Sequence, residues 1–352
     1  MNDSSPGGAP DAGYRGAAED PAAPGRPYAS AGPVYDVAAA AQTRPMPPVP
    51  DENTGLPAGP PGTPGGPGEP SGGAGGHRKS GKNAGRNLRA AIGVGVGLGV
   101  VIIATLFIYK VIFLAVVVAA VVVGLWELTS RLRERKGINA PLVPLAVGGA
   151  ATVVAGYAWA AEGAWVATAF TVLAVLLWRM TQSPHDYLKD VTAGVFAVFY
   201  VPFLATFVVM MLAAHDGPWR VFVFLLLTVV SDTGAYAVGW RFGKHKLAPR
   251  ISPGKTREGL LGAVSFAMVA GALSMQYLID DGKWWQGLVL GLAAAASATV
   301  GDLGESMIKR DLGIKDMGTL LPGHGGIMDR LDSLLPTAPV VWLLLVLFVG
   351  ST

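Results

Sequence analysis

Hydrophobic residues in this chain are gathered into long, nearly uninterrupted runs that begin near residue 90. A membrane-crossing helix needs about 20 apolar residues, because it rises about 1.5 Å per residue across the hydrocarbon core. Nine runs approach that requirement, with limits near 90–109, 111–127, 141–159, 164–179, 191–213, 219–241, 259–279, 286–301 and 333–350. The pattern predicts an all-α polytopic membrane protein with about nine transmembrane helices.

The N-terminal segment differs in composition from the rest of the chain. Residues 1–76 contain 16 of the 26 prolines and no apolar run that would serve as a signal peptide. Such a sequence cannot bury enough apolar surface to offset the entropy of ordering, so it predicts a disordered tail. Proline-rich tracts also serve as docking ligands, and that alternative stays open. We expect a basic juxtamembrane segment at 77–89 and the membrane domain at 90–352.

Positive charges fall consistently on one side of the predicted spans. With the N-terminal segment placed in the cytoplasm, loops on that side hold 21 Lys and Arg residues and the opposite loops hold 3, excluding the tail. This bias predicts the orientation and places the polar loops 241–258 and 302–332 on the cytoplasmic face. It also explains the net charge of +3 without nucleic acid as a partner. The absence of cysteine excludes disulfides and thiolate chemistry.

Reactive side chains are concentrated in the second polar loop. If residues 302–310 continue the eighth helix, then Asp302, Ser306 and Lys309 or Arg310 share one face of it. Carboxylates flanked by cationic side chains suit a Mg²⁺ ion that holds a polyphosphate.

A second pair of carboxylates lies at the start of the ninth predicted helix. Asp329 and Asp332 are three residues apart and would share a face. The glycine-rich run 322–326 before them allows backbone amides to approach an anion closely. For any one of these residues, a solvated loop is the simpler interpretation. The set as a whole indicates a site for a metal and a phosphate.

The same loop resembles the signature of the phosphatidate cytidylyltransferase family. The residues that match in register lie within a 27-residue stretch and are Ser306, Lys309, Arg310, Lys315, Asp316, Gly318, Pro322, His324, Gly325, Gly326, Asp329, Arg330 and Asp332. Two further stretches are similar to the same family, Ser231 to Tyr236 and Ser252 to Gly259. The family usually has tryptophan where this chain has Arg257, which puts an aromatic contact there in doubt.

The resemblance implies transfer of CMP from CTP to phosphatidic acid in a cell membrane, giving CDP-diacylglycerol and pyrophosphate. It implies Mg²⁺ bound by Asp302, Asp329 and Asp332. The catalytic residues that it implies, which would contact the phosphates, are Ser306, Lys309, Arg310, His324 and Arg330. The substrate-binding residues that it implies are Ser231, Asp232, Lys255 and Lys315. A second cation and a homodimer are both compatible with it.

Two other classes of protein fit parts of this pattern. A transporter would also place a carboxylate such as Asp232 within the membrane, although its charged groups would lie nearer the midplane than they do here. A different lipid-handling cytidylyl- or phosphotransferase would share the architecture. Transfer of the labelled CMP group from radiolabelled CTP to phosphatidate in detergent separates the three.

The topology is testable because the chain has no cysteine of its own. Cysteines introduced as Asp281→Cys and His245→Cys should react with a membrane-impermeant maleimide from opposite sides of sealed vesicles, with position 245 on the cytoplasmic side. Labelling from the same side would contradict the number of spans between them.

Overall fold

A computed structural model describes residues 81–320 and 325–350. Its helices are α1 (Gly81–Ile108), α2 (Lys110–Lys136), α3 (Leu142–Met180), α4 (Tyr187–Val198), α5 (Leu204–Ala213), α6 (Gly217–Phe242), α7 (Arg257–Tyr277), α8 (Trp284–Leu312), α9 (Met328–Leu331) and α10 (Leu334–Val349). A π-helical turn, Phe199–Phe203, joins α4 to α5. Two strands, β1 (Lys246–Ala248) and β2 (Ser252–Thr256), form the sheet of the described region. The tail predicted at 1–76 lies outside the described residues.

Seven helical stretches in the described part of the chain are long and apolar enough to cross a membrane. The predicted multi-pass helical architecture is therefore confirmed, whereas the count of nine spans is not. The apolar part of α1, Gly95–Ile108, is shorter than a full span. The runs predicted at 141–159 and 164–179 both fall within α3.

Helix α3 is broken between those two runs. Trp159 and Ala160 have non-helical backbone angles, and Ala160 has a positive φ of 51°. The hydroxyl oxygens of Thr152 and Thr171 lie 3.3 Å apart, on opposite sides of the break. The chain therefore folds back on itself at this point, and its two halves pack together.

Helices α6, α7 and α8 pack closely because glycines face one another across their contacts. A Cβ atom added to Gly271 would collide with the backbone of Gly287, and one added to Gly291 would collide with the backbone of Ala267. On the other side of α7, a Cβ atom on Gly262 would collide with Val238 of α6. Without a hydrophobic force between helices in lipid, such small-residue contacts supply close packing. They hold the helices that carry the polar loops.

The antiparallel pair β1–β2 connects α6 to α7 at the polar end of these helices. Thr256, the last residue of β2, caps α7, because its hydroxyl accepts a 3.1 Å hydrogen bond from the Gly259 N–H. Arg310 at the end of α8 donates from Nε to the Ile251 carbonyl at 3.2 Å. The loops predicted to share one face of the membrane therefore touch each other.

Gly291→Ala should lower the melting temperature in detergent, because the new methyl group has no room against the Ala267 carbonyl. Gly304→Ala on the same helix is the matched control, since nothing lies within 4 Å of its added Cβ. That control should be neutral or stabilising, because alanine favours a helix over glycine by about 0.5–1 kcal/mol. Equal melting temperatures for the two variants would show that close α7–α8 packing is not needed.

Candidate active site

Lys255 and Asp302 join the β-hairpin to helix α8. Lys255 precedes the residue that caps α7, and its ammonium group pairs with Asp302 Oδ2. The two side chains are 26% and 25% exposed, so a ligand can reach both. Helix α8 continues to Leu312, which confirms that Asp302 and the residues up to Arg310 lie on one helix.

Carboxylates crowd together around Asp302. The carboxyl group of Asp332, just after α9, lies against those of both Asp302 and Glu305. Asp232 of α6 also lies within electrostatic reach of Asp302, and its Oδ2 accepts a 3.2 Å hydrogen bond from the Ser333 hydroxyl. The sequence-predicted residues Asp232, Asp302 and Asp332 are thus brought together from three separate segments.

Lys309 is the cation inside this cluster. Its Nζ lies 2.5 Å from Glu305 Oε2 on the same helix and 2.7 Å from Asp329 Oδ1 on α9. Glu305 is fully buried, and its ion pair with Lys309 compensates its charge. Lys309 therefore neutralises buried charge and ties α8 to α9.

Asp329 organises the backbone of the signature loop. Its carboxylate accepts N–H hydrogen bonds from Met317 at 3.0 Å, Gly318 at 3.3 Å and Gly326 at 2.7 Å, in addition to pairing with Lys309. These contacts use most of the acceptor capacity of two carboxylate oxygens. The side chain is buried, so its charge depends on them.

Other predicted residues surround the cluster at different depths. Ser231 is buried beneath it, and Ser306 is half-buried on α8. Arg310, Lys315 and Arg330 are exposed. Arg330 interacts electrostatically with Asp232 at longer range, but its guanidinium makes no hydrogen bond or ion pair with any residue the structure describes. It is a cation available to a ligand.

For two residues discussed in the sequence analysis, His324 and Arg257, the structure describes no side-chain contribution to this cluster. His324 lies outside the described residues, which omit 321–324. Arg257 is exposed at the start of α7, and only its backbone N–H is engaged, donating to the His245 carbonyl at 2.8 Å. The described region thus shows no contact of the Arg257 side chain with the cluster.

A cleft of about 500 Å³ opens beside the cluster, and we call it the polar cleft because charged side chains line it among apolar ones. Its wall includes Asp232, Lys255, Thr256 and Asp302, together with backbone from the hairpin at Gly254. A negatively charged ligand in this cleft would meet the Lys255 ammonium group. The cleft is also large enough for an elongated polar molecule rather than a single ion.

Negative charge in the cluster exceeds positive charge. Asp232, Asp302, Glu305, Asp329 and Asp332 contribute five carboxylates, whereas Lys255, Lys309 and Arg330 contribute three cations. Two formal negative charges are left unbalanced when all these groups are ionised. No three acidic or histidine side chains of the described region form a preformed metal site. Mg²⁺ usually needs only one or two carboxylates together with substrate phosphates, so the donors suit that ion.

Comparison with known proteins identifies the family. Residues 89–348 match the sequence profile of the Cytidylyltransferase family. The chain belongs to this family. It is 41% identical over 289 residues to a phosphatidate cytidylyltransferase of Mycobacterium leprae, covering 77% of this chain and 92% of that relative. It is 39% identical over 277 residues to one from Mycobacterium tuberculosis, covering 75% and 84%. A Haemophilus influenzae phosphatidate cytidylyltransferase is 41% identical over 132 residues, covering 36% and 46%.

In this family member, Glu127 of α2 supports the signature loop, a role that sequence reasoning missed. Its Oε2 accepts a 2.8 Å hydrogen bond from the Met328 N–H, and the side chain is only 3% exposed. Cβ atoms added to Gly318 or Gly326 would collide with the Glu127 carboxylate, so these glycines let the loop close over it. An acidic residue at the end of an apolar run was the available signal, because such residues are costly within a membrane.

Replacing Glu127 by alanine should destabilise the protein and weaken CMP transfer together. Losing a hydrogen bond to a buried charged group costs about 1.5–3 kcal/mol of unfolding free energy, measurable by denaturant titration in detergent. Glu127→Gln keeps an acceptor for Met328 and should be milder.

Glu134→Ala is the matched control on the same helix, because Glu134 forms a surface pair with Arg131 and is 54% exposed. It should change the unfolding free energy by less than about 0.5 kcal/mol. If the Glu127→Ala variant is as stable and as active as the Glu134→Ala control, Glu127 does not support the loop.

Proposed function

We propose that this protein is a phosphatidate cytidylyltransferase, which transfers CMP from CTP to phosphatidic acid and releases pyrophosphate. The supporting observation is the cluster at which the β-hairpin, α8 and α9 meet. It places Lys255, Asp302, Asp332 and Arg330 around one end of a bundle of apolar helices. Relatives that carry the name phosphatidate cytidylyltransferase match three quarters of the chain.

The reaction requires positioning more than proton transfer. An oxygen of the lipid phosphate attacks the α-phosphorus of CTP, and the bond from that phosphorus to the bridging oxygen of the leaving pyrophosphate breaks. The attacking oxygen is already ionised near neutral pH, so no strong general base is needed. Catalysis then depends on alignment of the two phosphates and on neutralisation of their charge.

We assign the nucleotide to the polar cleft and its phosphates to Lys255. This ammonium group lies on the cleft wall and has only Asp302 as its partner among the described residues. Arg330 is exposed and has no partner among the described residues, and it would bind the lipid phosphate. Arg310, Lys315, Ser306 and His324 remain predicted phosphate contacts, and Ser231 a predicted part of the pocket floor. Lys309, held between two carboxylates, would act mainly by fixing the cluster.

Asp302 and Asp332 are the residues that we propose for binding Mg²⁺. Their carboxyl groups lie side by side in the part of the cluster with excess negative charge, next to the carboxylate of Glu305. When bound, Mg²⁺ would neutralise charge on the triphosphate and the departing pyrophosphate. The sequence also predicts Asp329 as a ligand, and this stays a prediction. Its oxygens would have to exchange several backbone hydrogen bonds for the metal.

The finer placement in the membrane is also proposed. The charge bias of the loops supports a cytoplasmic active site in the cell membrane, with nine spans if α1 and both halves of α3 cross it. The positively charged loops assigned to the cytoplasmic side include the β1–β2 hairpin and the signature loop. A homodimer and a second cation stay predictions of the family resemblance.

Asparagine substitutions at the acidic residues test this assignment. Asp302→Asn and Asp332→Asn should reduce transfer of radiolabelled CMP to phosphatidate by about 100-fold or more and shift the Mg²⁺ dependence to higher concentration. Asp329→Asn should also lose activity, but with a lowered melting temperature, because three backbone N–H groups lose a charged acceptor. Glu305→Gln should lose less.

Asp311→Asn is the control, because among the described residues Asp311 pairs only with Lys136 on the surface, and it is 75% exposed. It should behave as the wild type. Normal Mg²⁺-dependent turnover by both Asp302→Asn and Asp332→Asn would overturn the proposed metal site. A metal response lost in Asp329→Asn at unchanged stability would make Asp329 a ligand as first predicted.

A further inference from the structure

A second cleft, of about 470 Å³, lies between α1 and α6 and ends at the same acidic cluster. Its two walls are apolar and follow helical spacing, so each is one face of a helix. The α1 wall consists of Gly95, Leu98, Gly99, Ile102 and Ile103. The α6 wall consists of Phe222, Leu225, Leu226, Thr228 and Val229, followed by Asp232 about one turn further on.

The depth of this cleft matches one leaflet of a bilayer. Asp232 follows Phe222 by ten positions on α6, which is about 15 Å along a helix. The hydrocarbon core of a bilayer is about 30 Å thick. At the far end, Phe107 of α1 packs against Trp219 and Phe222 with ring centroids 4.9 and 6.0 Å away. A lipid of one leaflet would reach from the polar cluster to these rings.

The charged end of the cleft suits a phosphate. Arg330 lines this end, is exposed, and has no partner among the described residues. A larger cleft of about 700 Å³ between the halves of α3 offers a contrast. Glu162 is the one ionisable side chain that lines it, so it offers a phosphate no cation. Asp232, Asp329 and Asp332 also line the α1–α6 cleft, so the two clefts differ in the presence of a cation, Arg330, at the acidic cluster.

We infer that the α1–α6 cleft binds the acyl chains of phosphatidate, with the lipid phosphate at Arg330. This inference rests on the proposed function and adds the location of the lipid. Asp232 lines both this cleft and the polar cleft assigned to CTP. The two substrates thus approach the cluster from opposite sides of one carboxylate, and their phosphates meet there.

Narrowing the cleft should discriminate between lipids by chain length. Nothing lies within 4 Å of a Cβ added at Gly99, so the side chain of Gly99→Leu would project into the cleft. We expect KM for dioleoyl phosphatidate to rise about 10-fold, the effect of displacing one or two methylenes from an apolar pocket. KM for dihexanoyl phosphatidate should change far less, and KM for CTP should be unchanged.

Gly97→Leu is the matched control, because this glycine of the same helix is equally open but does not line the cleft. It should behave as the wild type with both lipids. Val229→Phe narrows the cleft from the α6 wall and should reproduce the Gly99→Leu effect, so the test survives if either variant fails to fold. Unchanged chain-length dependence in both narrowing variants would overturn the inference.

Photolabelling tests the site without turnover. Phosphatidate with a diazirine near the end of one acyl chain should label α1 and α6 peptides of the full-length wild-type protein, and excess dioleoyl phosphatidate should compete. Labelling of α3 instead, or labelling without competition, would overturn the inference. A second copy of the chain that covers the cleft and prevents labelling of α1 and α6 would also overturn it. Labelling of α1 and α6 in a protein that transfers no CMP would refute the proposed function alone.

Discussion

The ion pair of Lys309 with Glu305 and Asp329 is the interaction on which the rest of the site depends. A buried carboxylate without a partner is costly, and removing one partner of a buried pair leaves its charge uncompensated. Lys309 satisfies two carboxylates on different helices at once. Asp329 in turn fixes three backbone N–H groups of the signature loop. Lys309 therefore helps to fix the loop geometry, and Asp302 and Asp332 are the cluster carboxylates that Lys309 does not bind.

The supporting helices bring this arrangement within reach of the β-hairpin. Glycine contacts set α7 close to α8, and the hairpin precedes α7, so Lys255 arrives at Asp302 from a segment 47 residues away. Helix α2 supports the loop from the other side through Glu127. Each contact joins residues far apart in sequence, as expected for a site assembled between helices.

Sequence patterns predicted the helical membrane architecture and the residues Asp232, Lys255, Asp302 and Asp332 that the structure brings together. Hydrophobic run length supports such a prediction because the bilayer fixes the length of a span. The same patterns could not show how the charges pair. The motif contains Lys309 and Asp329 whether their side chains face a ligand or each other. Only the fold decides which of these two arrangements occurs. The break at Trp159 and Ala160 lies between the predicted runs 141–159 and 164–179, so run length located it correctly.

Asp232 lies on the shared wall of a polar and an apolar cleft, and this has a kinetic consequence under the proposed function. One product, pyrophosphate, disperses into a three-dimensional aqueous volume, while the other stays in the two-dimensional leaflet. Saturation by the lipid is then governed by its mole fraction in the bilayer, and saturation by the nucleotide by its molar concentration. Diluting the membrane with inert lipid would slow the enzyme, whereas diluting the vesicles in buffer at constant nucleotide would not.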